Sequence, residues 1–169
     1  MLNLRKIQSE MSVRPKLIIF TLILVLPLFI TSCTKNKNDV IPDVYIDFNI
    51  SLNDPEFYNL SSPLTSAYVS ASTNNIGLYA AGYDNNGIII FRYVEDEFLA
   101  YDRTCPHDFK VNDKSVQVNI IDDIYAICPV CSTKYALPSY GTPASGIGQY
   151  PLKNYKTAFN NPWIHVWNY

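Results

Sequence analysis

The sequence predicts an all-β domain of short antiparallel strands, carried behind an N-terminal export segment. Three observations lead there. Val44, Ile46, Phe48, Ile50 and Leu52 alternate with polar or smaller residues, the two-residue period of a half-buried strand. Gly87–Tyr93 (GIIIFRY) is a β-branched and aromatic run bounded by turn residues. After residue 33 no long helical period is sustained, and 13 tyrosines and 11 prolines against 6 glycines suit short strands joined by turns.

The elements follow in order. Asn53-Asp54-Pro55 ends the first strand, and residues 55–66, with two prolines and several serines, read as loop with a short helical turn. Ala67–Ala71 is a strand. Asp84-Asn85-Asn86-Gly87 turns the chain into the apolar run of 87–93. Glu95-Asp96-Glu97 then reverses it into Phe98–Tyr101. Val116–Asn119 and Ile124–Ile127 flank Asp122-Asp123 as a hairpin. Lys134–Leu137 and Leu152–Phe159 are weaker strands, and Asn160-Asn161-Pro162 turns into a closing strand, Trp163–Trp167. There are no internal repeats. A length of 169 residues fits one domain plus an appendage.

The appendage is residues 1–32. Arg5, Lys6, Arg14 and Lys16 face one acid, Glu10. Leu17–Ile30 then runs apolar except for Thr21 and Pro27, short of the ~20 residues that span a bilayer. Positive segment, apolar run and small residues form an export signal, for which either Met1 or Met11 serves as the start. Its end, Ile30-Thr31-Ser32-Cys33, resembles a bacterial lipobox. That resemblance implies cleavage before Cys33, acylation of Cys33 and attachment to a membrane. Residues 33–41 would then be a tether, and 42–169 the domain. Loss of the signal leaves nine basic against fourteen acidic residues, net −5, which disfavours a nucleic-acid partner.

Two short motifs carry chemistry. Cys105-Pro106-His107 follows a strand, and Cys128-Pro129-Val130-Cys131 follows another, with twenty residues between His107 and Cys128. Side by side, two such loops offer three thiolates and an imidazole, enough for a metal ion or a cluster. Tyr101–Asp108 (YDRTCPHD) resembles the first cluster loop of Rieske proteins, and Cys128–Tyr135 (CPVCSTKY) the second. Gly141–Leu152 (GTPASGIGQYPL) is similar to the proline-bearing loop that covers a Rieske cluster. The resemblance covers roughly 85–169. It implies three small antiparallel sheets with a [2Fe–2S] cluster at their tip. Cys105 and Cys128 would hold the inner iron; His107 and Cys131 would hold the outer one. Thr133 and Tyr135 would stand at positions whose hydroxyls meet the cluster sulfurs.

The chain departs from that family at Cys131, where the pattern has histidine, and at Ser132, where it has glycine. Lys110 and Val130 replace an extra cysteine pair found in some members. Thiolate in place of imidazole adds negative charge at the outer iron, so the expected potential lies between those of all-cysteine ferredoxins and Rieske centres. The implied function is one-electron transfer to a protein partner docking at loops 105–110, 128–133 and 141–148. The chain reads as a carrier or redox subunit rather than a complete enzyme.

Other readings of the same residues stand beside this one. Cys₃His is a structural zinc set. Cys128-x-x-Cys131 matches a thiol oxidoreductase motif, though such motifs sit where a strand feeds a helix, and Ser132–Leu137 reads as extended. His165 alternates with Ile164 and Val166 and is assigned to a strand surface. Asp102 and Asp108 flank the first motif and read as solvated acids. Gly146-x-Gly148 lacks the strand–helix setting of a phosphate loop.

Overall fold

The computed structural model describes residues 39–169. The signal segment 1–32, Cys33 and the tether through residue 38 lie outside the described residues. Ten strands are present: β1 (Asp47–Ser51), β2 (Thr65–Val69), β3 (Ile88–Val94), β4 (Glu97–Asp102), β5 (Asn119–Ile121), β6 (Tyr125–Ile127), β7 (Lys134–Ala136), β8 (Thr142–Ser145), β9 (Asn154–Asn160) and β10 (Trp163–Trp167). One short α-helix, α1 (Pro106–Asn112), and several 3₁₀ turns complete the described chain. Every pairing is antiparallel. The all-β class is therefore as the sequence predicts. Among the described residues no helix is long and apolar enough to cross a membrane.

The strands form a six-stranded sheet, β1-β10-β9-β4-β3-β2, and a four-stranded sheet, β5-β6-β7-β8. Strand β9 joins two halves of the larger sheet. Its first residues, Asn154 and Tyr155, pair with β4, while Lys156–Asn160 pair with β10. The larger sheet is thus a three-stranded ribbon, β1-β10-β9, and a four-stranded one, β9-β4-β3-β2, that share strand β9.

Two hydrophobic cores flank β3 and β4, which explains why β3 reads as a continuous apolar run. Ile88, Ile90, Phe98 and Ala100 face a first core with Phe48, Ile50, Ile164 and Val166. Ile89, Phe91 and Tyr101 face a second, with Cys105, Ala126, Cys128, Tyr135 and Leu152. A strand covered on both sides loses the polar face that alternation would show. The first core also takes Phe57 and Leu60 from the 3₁₀ helix Pro55–Ser61, both fully buried. Each such burial is worth about 1.5–3 kcal/mol, enough to pin an otherwise loop-like segment. Asp54 caps that helix by accepting from the Glu56 N–H at 3.0 Å.

Two local differences from the sequence reading bear on the site. Ile41, placed there at the end of the tether, is 1% exposed, and its carbonyl accepts from Lys153 Nζ at 2.9 Å. Packing of the domain therefore begins at least at Ile41. The second is α1, where a loop was expected. Pro106 occupies the first helical turn, Asp108 is acidic in that turn, Lys110 is basic in the last, and Asp113 ends the helix in a left-handed conformation, φ 51°. These are ordinary start and stop signals, but seven residues are too few for a period to show.

Candidate metal centre

Strand β4 ends at Asp102, whose buried carboxyl fixes the approach to Cys105. Asp102 accepts from the Thr104 N–H at 2.8 Å, from the Tyr83 N–H at 2.7 Å and from the Tyr155 hydroxyl at 2.6 Å. The next residues are locked in turn: Arg103 donates from Nε to the Val118 carbonyl at 3.2 Å, and the Cys105 N–H donates to the Val116 carbonyl at 2.8 Å. Cys105 is the residue before α1, and its carbonyl accepts from the Phe109 N–H at 3.1 Å.

The second loop leaves β6 at Cys128 and returns to β7. The Cys128 N–H donates to the Thr133 carbonyl and the Ser132 N–H to the Cys128 carbonyl, each at 3.0 Å, so the CPVCST segment closes as a tight turn. Ser132 sits at φ 57°, in the region favourable to glycine. This is the position at which the Rieske pattern has glycine.

These two loops converge. One ligand atom from each of Cys105, Asp108, Cys128 and Cys131 lies within 4.8 Å of the other three. Cys105 Sγ is 3.6 Å from Cys131 Sγ, and the Cys128 thiol donates to Asp108 Oδ2 at 3.0 Å. All three cysteines are free thiols; Cys105 and Cys128 are fully buried. Thr133 and Tyr135 lie against the sulfurs. The Cys131 thiol donates to Thr133 Oγ1 at 3.2 Å, and Cys105 Sγ lies 3.3 Å from the Tyr135 hydroxyl. The 141–148 loop closes over Thr133, with the Gly148 N–H donating to Thr133 Oγ1 at 2.9 Å.

His107 is not in this group. It is partly buried, and the fourth place is taken by Asp108, which is fully buried rather than solvated. Helix α1 supplies the reason. In an extended loop, residues two apart share a side, so Cys105 and His107 would point together. At a helix start, residues three apart share a side and residues two apart do not. Cys105 and Asp108 therefore face the thiols, and His107 is turned from them. Proline after the cysteine and an acid three positions on was the available signal. His165 stays outside the site: its Nε2 is 2.8 Å from Asp47 Oδ1, and its ring stacks on Trp167.

The four groups shift one another's protonation. The Cys128 thiol is pushed up from its ordinary value by its bond with Cys105, by burial and by its bond to Asp108. Burial pushes the Cys131 thiol up as well, and burial and the Cys105 contact do the same to the Tyr135 phenol. Burial opposes ionisation of Asp108, but bonds from Cys128, Cys131, Asn112 and Cys105 outweigh it and hold the carboxyl at about 2. No lysine or arginine pairs with Asp108 among the described residues.

Three thiols and a carboxylate are chemically suited to iron or zinc. Two ligands on one tetrahedral ion at bonds of about 2.3 Å lie about 3.8 Å apart, close to the Cys105–Cys131 separation. Cys105 and Cys131, assigned by the resemblance to different irons, lie 3.6 Å apart.

No protein-family model matches this chain, and no curated protein matches it. Solved structures with a similar course of chain include one from a complex of reduced oxygenase and oxidized ferredoxin in carbazole 1,9a-dioxygenase. Its TM-score is 0.46 at 18% identity, covering 72% of this chain and 93% of that one. The ferredoxin of carbazole 1,9a-dioxygenase from Nocardioides aromaticivorans IC177 gives 0.44 at 12%, covering 75% and 100%. The Sphingomonas yanoikuyae B1 ferredoxin gives 0.42 at 13%, covering 66% and 94%.

Proposed function

We propose that this chain is an exported, lipid-anchored electron-transfer protein whose two loops hold an iron–sulfur centre of the Rieske type. The observation that supports it is the convergence of Cys105, Cys128 and Cys131 in one buried, thiol-rich site. Iron held there supplies a one-electron couple. The domain's own residues would do the rest. Burial excludes water, the Thr133 and Tyr135 hydroxyls contact the sulfurs, and the 141–148 loop covers Thr133. A [2Fe–2S] cluster would be held by Cys105, Cys128, Cys131 and a fourth ligand. Anchoring at Cys33 is supported by the Ile30-Thr31-Ser32-Cys33 motif, and a redox protein partner by the loops at the tip.

A second reading, a single zinc ion on the same thiols, is favoured by the short Cys105–Cys131 separation. Metal and sulfide analysis after anaerobic reconstitution separates the two. Two irons and two sulfides per chain, with a reduced paramagnetic signal lost in Cys128→Ala, are expected of the first reading. One zinc and no reducible centre would refute it. Detergent-phase partitioning of the expressed protein, lost in Cys33→Ala, tests the anchor.

A further inference from the structure

We propose that Asp108, and not His107, supplies the fourth protein ligand of this centre, making it a three-cysteine, one-aspartate site. The inference rests on the reading that the site binds metal, and it is independent of whether one ion or a cluster fills it.

Three observations carry it. The first is position. Asp108 Oδ2 touches Cys128 Sγ at 3.0 Å, and one carboxylate oxygen lies within 4.8 Å of all three thiols, whereas His107 is absent from that group. The second is burial. A fully buried carboxylate without a basic partner among the described residues is expensive unless a cation or several donors face it. The donors facing Asp108 are thiols, the groups that lose their protons when a metal binds. Once they do, Asn112 is the one remaining side-chain donor, at 2.9 Å, and it meets Oδ1. Oδ2 is then left toward the metal position. The third is backbone conformation. Helix α1 begins directly after Cys105, which sets Cys105 and Asp108 on one side by the three-residue rule and carries the ring of His107 elsewhere.

The test uses the full chain, purified in detergent with Cys33→Ser so that three thiols remain. Cobalt(II) is titrated into this chain and into versions with Asp108→Asn or His107→Gln. Asn keeps the shape of Asp and can still accept from Cys128, and circular dichroism checks that each variant is folded. The expected result is one tetrahedral cobalt per chain, with affinity reduced about tenfold or more by Asp108→Asn and within about twofold of the parent for His107→Gln. A second readout needs no variant at the carboxylate. After loading with ferric iron and sulfide and one-electron reduction with dithionite, pulsed electron paramagnetic resonance of the reduced signal should show no strong nitrogen coupling. Strong nitrogen coupling that disappears in His107→Gln would overturn the assignment of Asp108 while leaving the metal-centre reading standing. Failure of the parent chain to take up either metal would overturn both.

Discussion

Gly148→Ala is a direct test of how the 141–148 loop bears on the thiol site. An added Cβ at Gly148 would lie 2.6 Å from Thr133 Cγ2, 2.9 Å from Thr133 Oγ1 and 3.2 Å from Thr133 Cβ. Gly148 is outside the left-handed region, so the cost is contact and not backbone strain. Thr133 cannot step aside: it is fully buried, and a β-branched side chain has little rotamer freedom. Its hydroxyl also accepts from both Gly148 N–H and the Cys131 thiol. Overpacking of this kind costs about 1–3 kcal/mol. For a domain of this size that lowers Tm by roughly 4–12 °C, read by circular dichroism in a reducing buffer. The tightest contact is with the methyl group, so Thr133→Ser should recover part of the loss in the double variant, the Oγ1 contact at 2.9 Å remaining, while keeping the hydroxyl at Cys131. Cys131 should also alkylate faster in Gly148→Ala than in the double variant. A Gly148→Ala protein within about 0.5 kcal/mol of the parent, or one that Thr133→Ser does not rescue, would refute this account.

Other substitutions test other parts of the structure. Ser132→Gly should stabilise by up to about 1 kcal/mol in urea unfolding, because a left-handed residue with a Cβ costs roughly 1–2 kcal/mol and glycine gives part of that back in unfolded-state entropy; Ser132→Val should destabilise. Tyr155→Phe removes the 2.6 Å donor to Asp102 and should cost about 1–3 kcal/mol, with weaker metal retention because Asp102 sets the approach to Cys105. The hydrogen bond from His165 holds the Asp47 carboxyl below its ordinary range. A carboxyl lowered by folding contributes stability above its unfolded pKa, which is lost as pH falls through the folded value. His165→Ala should therefore return the Asp47 titration to the ordinary range by carbon-detected NMR and remove the stability that this pair contributes above the unfolded carboxyl pKa.

Local chemistry decided much of this protein in one dimension. The period-two pattern of 44–52, the turn residues at 84–87, 95–97 and 122–123, and the closing strand at 163–167 all appear within a few residues of where the pattern puts them. Strand periodicity and turn propensity depend on neighbours in sequence, so they survive without tertiary context. The thiols of the site were legible too, because the second loop carries two cysteines within four residues and the first sets one directly after a strand. What the sequence could not decide is which side chains share a volume. The continuous run of β3 signified two cores, but the second became visible only with the four-stranded sheet packed against it. Asp108 looked like a solvated acid because burial is a property of what folds over a residue. The resemblance sets His107 among the thiols through its Cys-x-His pattern, whereas a helix begins there and brings Asp108 against them. Seven residues hold too little periodicity to announce themselves as helical. The helix turns Asp108 toward the second loop, and only the fold brings that loop's thiols to it.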